Sequence, residues 1–319
     1  MQIDLDKDRK LELKMMDNFK FEDALFDIEH ALNIYATSSC TIPAQAIYDK
    51  EALAPLMDVI KNCHIYIIGF TPIVNLINIR EDSGKLLFLF SILGNEYISE
   101  SNIPDGCKLS QKDGLFYLND EKGRKFMPDS YTIQAKLCHE TNVVNFEVKY
   151  IGQAYGKEGS RNVLDRLLQH ETLQEIVIKG VPKGYQITLL LLEINSSSQL
   201  ITSFNPFAKN KEEGEARINS GITKLFTTSE QELVALYEAA LIRYFYPFYN
   251  KKFKNSFPST NLKILQDCYE KDFAGVAAEL SFDDNLPFKL FSESVPPANN
   301  HIAKHALHDD KARKIFFGL

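Results

Sequence analysis

Glu238 stands in the run Glu238-Ala-Ala-Leu-Ile-Arg-Tyr-Phe-Tyr-Pro-Phe-Tyr-Asn250, among alanines and leucines. A carboxylate placed on so apolar a helix needs a partner if it is buried, and a metal ion is one such partner. A solvated helix face is the plainer use of a glutamate. Upstream, Tyr150-Ile151-Gly152-Gln153 closes a strand-like run. Glycine there lets a phosphate or another backbone approach closely, and the tyrosine hydroxyl can face the same space. Arg166 is followed four positions later by His170, a spacing that puts two side chains on one helical face. The planar guanidinium fork suits a phosphate oxygen, although a surface ion pair is the commoner role of a helical arginine. A second group, His301, His305 and His308 with Asp309 and Asp310, has a helical spacing that could bind a metal. That segment is polar, with a thin apolar stripe of Ile302 and Ala306, and reads as a solvated terminal helix.

The elements that must position these groups follow from periodicity. Phe21, Leu25, Ile28, Ala31 and Leu32 recur at helical spacing in residues 18–36, and a second helix is expected from about Asp49 to Lys61. HIYIIGF, KLLFLFSIL and GNEYISE read as strands, and the Gly- and Asp-rich stretch 106–128 as hairpin turns. YTIQAKL and VVNFEVKYIGQA read as a β-hairpin joined by His139 to Asn142. Ser160 to Val177 reads as one helix, and YQITLLLLEI as a central, buried strand. Asn195 to Phe226 is polar enough for a surface excursion. Ser229 and Glu232 form a capping box at the start of the helix that carries Glu238, and Pro247 ends it. A further helix is expected over about Leu262 to Leu280, before the short apolar run FKLF and the Pro296-Pro297 break.

The order β-β-α-β-α, with Y-I-G, Arg166 and E-x-x-L-I…P-x-Y-N in sequence, resembles the GIY-YIG nuclease family. The resemblance implies an α/β (α+β) fold whose GIY-YIG-type domain has a small antiparallel three-stranded sheet flanked by helices. It divides the chain into an N-terminal α/β region, residues 1–128, a nuclease-like domain, 129–255, and a C-terminal helical extension, 256–319. It further implies that Glu238 binds Mg²⁺ or Mn²⁺, that Arg166 clamps the scissile phosphate, and that Asn250 holds the final turn. The first triad, G-I-Y, is missing, and Ser130-Tyr131-Thr132 is its nearest equivalent by hairpin pairing. Tyr131 or Tyr150 would then orient or deprotonate the attacking water, and His170 would relay the proton or position the tyrosine. Gly152, Gln153, Arg161, Lys251, Lys252 and Lys254 are the expected substrate contacts.

The implied activity is metal-dependent hydrolysis of phosphodiesters in DNA, with RNA open, in restriction, phage defence, repair or a mobile element. The alternative is a non-catalytic subunit of the same fold that binds nucleic acid or protein. Bulk properties bound both. With 319 residues, 45% apolar and 25% charged, the chain can build a core. A net charge of -7 is unusual for a nucleic-acid partner. Residues 131–254 nevertheless carry 15 Lys and Arg against 13 Asp and Glu, so the acidic excess lies in the flanks. These flanks suggest a protein partner for the N-terminal region. Five scattered cysteines without a C-x-x-C pair fit a reducing cytoplasm. The apolar runs are too short to span a membrane.

Overall fold

In a computed structural model, which describes residues 21–128, 130–155, 163–195, 197–258, 262–281, 286–310 and 313, the chain is a mixed α/β protein built on one large sheet. In chain order its elements are β1 (Ile28–Pro43), α1 (Lys50–Leu53), α2 (Met57–Ile60), β2 (Ile65–Pro72), β3 (Val74–Asp82), β4 (Lys85–Ile92) and β5 (Asn95–Asn102). Then come β6 (Lys108–Lys112), β7 (Leu115–Asn119), β8 (Lys125–Phe126), α3 (Ser130–Glu140), β9 (Asn145–Gln153), α4 (Val163–Leu168) and α5 (Glu171–Lys179). The rest is β10 (Tyr185–Ile194), β11 (Gln199–Phe204), α6 (Gly214–Thr227), α7 (Glu230–Phe245), α8 (Lys263–Glu270), β12 (Gly275–Leu280), β13 (Lys289–Phe291) and β14 (His301–Ala306). No helix among the described residues is long and apolar enough to cross a membrane.

The large sheet runs β13-β9-β2-β10-β1-β12-β14, with β11 paired to the first half of β1. Strands from all three segments that the sequence reading separated meet in it. Side chains alternate across β2: Ile65 and Ile67 enter the core under α7, while Tyr66, Ile68 and Phe70 enter the core under α1, α2, α4 and α5. Both faces are therefore covered, and β2 and β10 read as continuous apolar runs, as doubly buried strands must. Two three-stranded antiparallel sheets, β3-β4-β5 and β6-β7-β8, stand between β2 and β9 in sequence.

Several sequence expectations are corrected here. Residues from Ile28 onward form β1, not an amphipathic helix: β10, β11 and β12 pair with it along its two edges, and burial on both faces erases the alternation that would have marked a strand. YTIQAKL is the helix α3, in which Ile133 and Leu137, one turn apart, are buried. Ala, Lys, Gln and Leu favour that state locally. The expected surface excursion supplies β11 and α6, and α6 buries Arg217 and Lys224. Arg217 bonds the Ile28 carbonyl at 2.6 Å and Glu29 at 2.8 Å, which anchors α6 to β1. Lys224 pairs with Asp267 of α8.

The C-terminal extension is largely extended rather than helical, with α8 ending at Glu270 and β12, β13 and β14 following. His301 to Ala306 pairs with β12 as an edge strand. Its histidines are structural: His301 Nε2 faces the Leu290 and Ala298 carbonyls, His305 Nε2 the Ala240 carbonyl and His308 Nε2 the Phe273 carbonyl. Burial lowers the pKa of all three, that of His305 to about 4.

Candidate active site

The site begins with the pairing of β2 and β9. Tyr66 lies opposite Gly152, Ile67 opposite Ile151 and Ile68 opposite Tyr150, after which the register shifts by one residue. The shift leaves Lys149 as an extra residue in β9. Phe146 and Val148 enter the core under α7, yet Tyr150, two positions beyond Val148, packs with the opposite one. A β-bulge re-aims side chains in this way, and here it brings Tyr150 to the face that carries Tyr66. The two rings stack with centroids 6.2 Å apart and planes at 25°.

Gly152 makes that stacking possible. A Cβ at this position would lie 2.5 Å from the Tyr66 hydroxyl and 2.8 Å from Tyr150 Cε1. Gly152→Ala is therefore expected to force the two rings apart and to destabilise the fold by about 1–3 kcal/mol through overpacking. Urea denaturation reads this directly. Unchanged stability together with unchanged tyrosine fluorescence would show that the rings have room to move.

Beyond β9, the helix expected as one continuous element is two. α4 ends at Leu168, and His170 is the N-cap of α5, its Nδ1 accepting the Leu173 amide at 3.1 Å. Arg166 and His170 thus do not share a helix face. They still converge, because the turn folds His170 back edge-on against both rings, 5.3 Å from Tyr66 and 5.0 Å from Tyr150. Desolvation and the Arg166 charge hold the His170 pKa at about 4. The imidazole is therefore neutral at physiological pH, with Nδ1 committed as an acceptor and Nε2 carrying the proton. It positions the tyrosines; it is poorly suited to a proton relay.

Burial raises the pKa of both tyrosines, so each keeps its proton at neutral pH. For Tyr150, the nearby Glu238 charge adds to that effect, while Arg166 and a hydrogen bond from Tyr66 oppose it. Arg166 likewise favours the ionised form of Tyr66. Tyr66 and Tyr150 thus form a stacked, protonated pair, and both Tyr66 and Arg166 ease the ionisation of Tyr150.

Glu238 arrives from the other direction on α7. Ser229 and Glu232 close the expected capping box at its start, and apolar side chains bury the helix along most of its length. Tyr246, left-handed at φ 51°, ends it just before Pro247. The Glu238 carboxylate is 9% exposed and accepts the Gln153 amide at 2.8 Å. Burial lifts its pKa to about 7, against the pull of Gln153, Lys252 and Arg166. Gln153 therefore serves the carboxylate before any substrate.

After the helix the chain turns back to β9. Asn250 is buried and clamps Ile151 from both sides of the peptide: its Oδ1 accepts the Ile151 amide at 2.9 Å, and its Nδ2 donates to the Ile151 carbonyl at 2.8 Å. It behaves as a one-residue strand on the β9 edge. Lys251 and Lys252 follow, exposed, and Lys254 lies over the Tyr246 ring.

The structure thus brings together Tyr150, Gly152, Gln153, Arg166, His170, Glu238 and Asn250, with Lys252 close enough to act on Glu238. Tyr131 is not on a strand beside Tyr150; it lies in the first turn of α3, and its side chain is outside the described residues, as is Arg161. The residue that sequence reasoning missed is Tyr66. Its signal is the tyrosine inside the strand-like run HIYIIGF, whose pairing with β9 spans a long intervening segment that no local pattern marks. Surface cavities of about 380 Å³ beside Lys224 and about 270 Å³ beside His64 hold none of the clustered residues.

A divalent ion fits this cluster in one respect that can be tested on the residues. Glu238 is a desolvated carboxylate with a divided preference for its proton, which a cation would resolve. Among the described residues, no three His, Cys, Asp or Glu side chains converge on a metal position. Magnesium accepts such a setting, because it commonly takes one or two carboxylates and completes its shell with water and substrate phosphate. No family model, no curated protein and no solved structure matches the chain.

Proposed function

We propose that this protein is a metal-dependent nuclease of the GIY-YIG type, hydrolysing phosphodiesters in DNA or RNA. The observation that carries the reading is the stacked pair Tyr66 and Tyr150, flanked by Arg166 and within the field of the buried Glu238. Strands β9, β2 and β10 supply the three-stranded antiparallel core, and His64-Ile65-Tyr66 takes the place of the family's first triad. The large segment between β2 and β9 is then an insertion within the hairpin.

Glu238 would hold Mg²⁺ or Mn²⁺, which when bound supplies Lewis-acid stabilisation of charge on the leaving oxygen. The chain's own residues do the rest. Arg166 would meet the phosphate as a permanent cation, its planar guanidinium fork matching two of the phosphate oxygens. Tyr150 would orient the attacking water, its ring stacked beside Tyr66 and its ionisation favoured by the Arg166 charge. Neutralising Glu238 removes one of the two causes that hold the Tyr150 proton, and so eases its ionisation. His170 fixes the ring edges, and Asn250 fixes the loop that returns Lys252 to the site.

The test is cleavage of plasmid and single-stranded DNA and of RNA with Mg²⁺ or Mn²⁺, comparing the native protein with Tyr66→Phe and Tyr131→Phe. Tyr66→Phe is expected to lower the rate by about a hundredfold, the low end of a proton-handling contribution, and Tyr131→Phe to leave it unchanged. Full activity in Tyr66→Phe would remove the dyad from the mechanism. The second reading, a non-catalytic binding subunit, is favoured by the net charge of -7; metal-stimulated cutting by the native protein excludes it.

A further inference from the structure

Resting on the nuclease reading, we propose that the loop from Tyr246 to Lys254 is a stacking platform for single-stranded nucleic acid, on which an unpaired base next to the scissile phosphate lies against Phe248. Exposure alone does not single out this ring, since Phe204 and Phe226 are also exposed. What singles it out is its setting. Phe248 is 64% exposed and meets Tyr249 edge-on at 5.0 Å. Lys179 covers the Tyr249 ring at 5.1 Å, and Lys254 covers the Tyr246 ring at 4.3 Å.

The cations dominate locally. Lys251 and Lys252 are exposed between these pairs, and the nearby Glu175 is already bonded to Lys179 at 2.5 Å. Flat rings interleaved with lysines are the arrangement that single strands need, because the backbone takes the cations and any base can stack on a ring. A duplex keeps its bases stacked inside and offers none to Phe248.

The platform is also rigid and continuous with the candidate site. Tyr249 donates its amide to the Lys149 carbonyl at 3.0 Å, beside the bulge that aims Tyr150. Asn250 pins the next residue to Ile151, and Lys252 draws down the pKa of Glu238. A base held on Phe248 would thus lie on the same loop as Lys252, whose charge reaches Glu238.

The test is fluorescence anisotropy in EDTA, where no metal-dependent cutting intrudes, with labelled oligo-dT, oligo-U and a mixed-sequence duplex. The native protein is expected to prefer the single strands at equal salt. Phe248→Ala should weaken single-strand binding by about tenfold and leave duplex binding unchanged, while Phe248→Trp, which keeps a ring, restores the affinity. The oligo-dT and oligo-U arms show whether DNA, RNA or both are taken. Unchanged single-strand affinity in Phe248→Ala, an equal loss on duplex, or no single-strand binding by the native protein would overturn the platform. Absence of metal-dependent cutting with these affinities as expected would sink the nuclease reading and leave the platform standing. Cutting with unmoved affinities would do the reverse.

Discussion

Glu238→Gln is expected to lower metal-dependent cleavage by at least about a hundredfold, the scale on which single charge-stabilising groups act in active sites, and at the same time to make the fold more stable above neutral pH. The second effect follows from linkage. The Glu238 pKa rises from its ordinary 4.5 to about 7 in the folded protein. Below pH 4.5 the carboxyl is protonated in both states and contributes no difference. As pH rises from 4.5 to 7 the unfolded chain releases this proton while the folded protein keeps it, so stability falls across that window. Above 7 the cost is constant, at about 3 kcal/mol for a shift of this size.

Glutamine never bears that cost and still offers an oxygen to the Gln153 amide. The stability gain of Glu238→Gln, measured by urea denaturation in EDTA, should therefore be near zero at the acid end of the window and largest above its upper end. A gain that is the same at every pH, or a loss, would mean that the carboxylate is not desolvated. The coupling of lost activity to gained stability is the usual sign of a group retained for its chemistry.

Asn250→Ala is expected to cost about 2–4 kcal/mol, because it leaves the Ile151 amide and carbonyl without their partner on the β9 edge, and a stranded backbone group costs about 1–3 kcal/mol. The neighbouring β13 reaches only as far as Glu147 on β9, so no adjoining strand replaces the lost bonds. The loop that holds Lys251, Lys252 and Lys254 loses its anchor in the same step. Single-strand affinity should then fall together with stability. Asn250→Asp, which keeps the acceptor but sets a buried carboxylate oxygen against the Ile151 carbonyl, should cost at least as much. Wild-type stability in Asn250→Ala would show that water takes over both bonds.

His301 shows how a sequence pattern can mislead. Its spacing with His305 and His308 reads as a polar terminal helix, whereas the structure pairs the segment with β12. His301 and His305 lie on the strand β14 and His308 just beyond it, and their ring nitrogens face the carbonyls of Leu290, Ala240 and Phe273. Spacing of i, i+4 is as available to alternate residues of a strand as to a helical face, and only the partner decides between them. His170 is the converse case. The sequence placed it beside Arg166 on one helix, yet it reaches the same tyrosines from a helix cap, because two turns joined at a cap return a side chain to where one straight helix would have carried it.

The sequence by itself determined the local elements whose signals are short-range. These are the apolar strands β2, β4 and β10, the more polar β5 that follows β4, the Gly- and Asp-marked hairpins, and the capping box and proline that bound α7. It supplied Tyr150, Arg166, Glu238 and Asn250 as candidates, and tertiary packing then brings them near one another. Only the tertiary structure decided which tyrosine stands beside Tyr150. Strand pairing rewards the best complementary partner wherever it lies in the chain, and loop closure grows costly only slowly with length. A partner beyond seventy intervening residues is therefore as admissible as the next strand along. Tertiary pairing likewise made β1 a strand, because burial on two faces and hydrogen bonding along both edges outweigh a helical spacing of apolar residues that no single window of sequence can place in context.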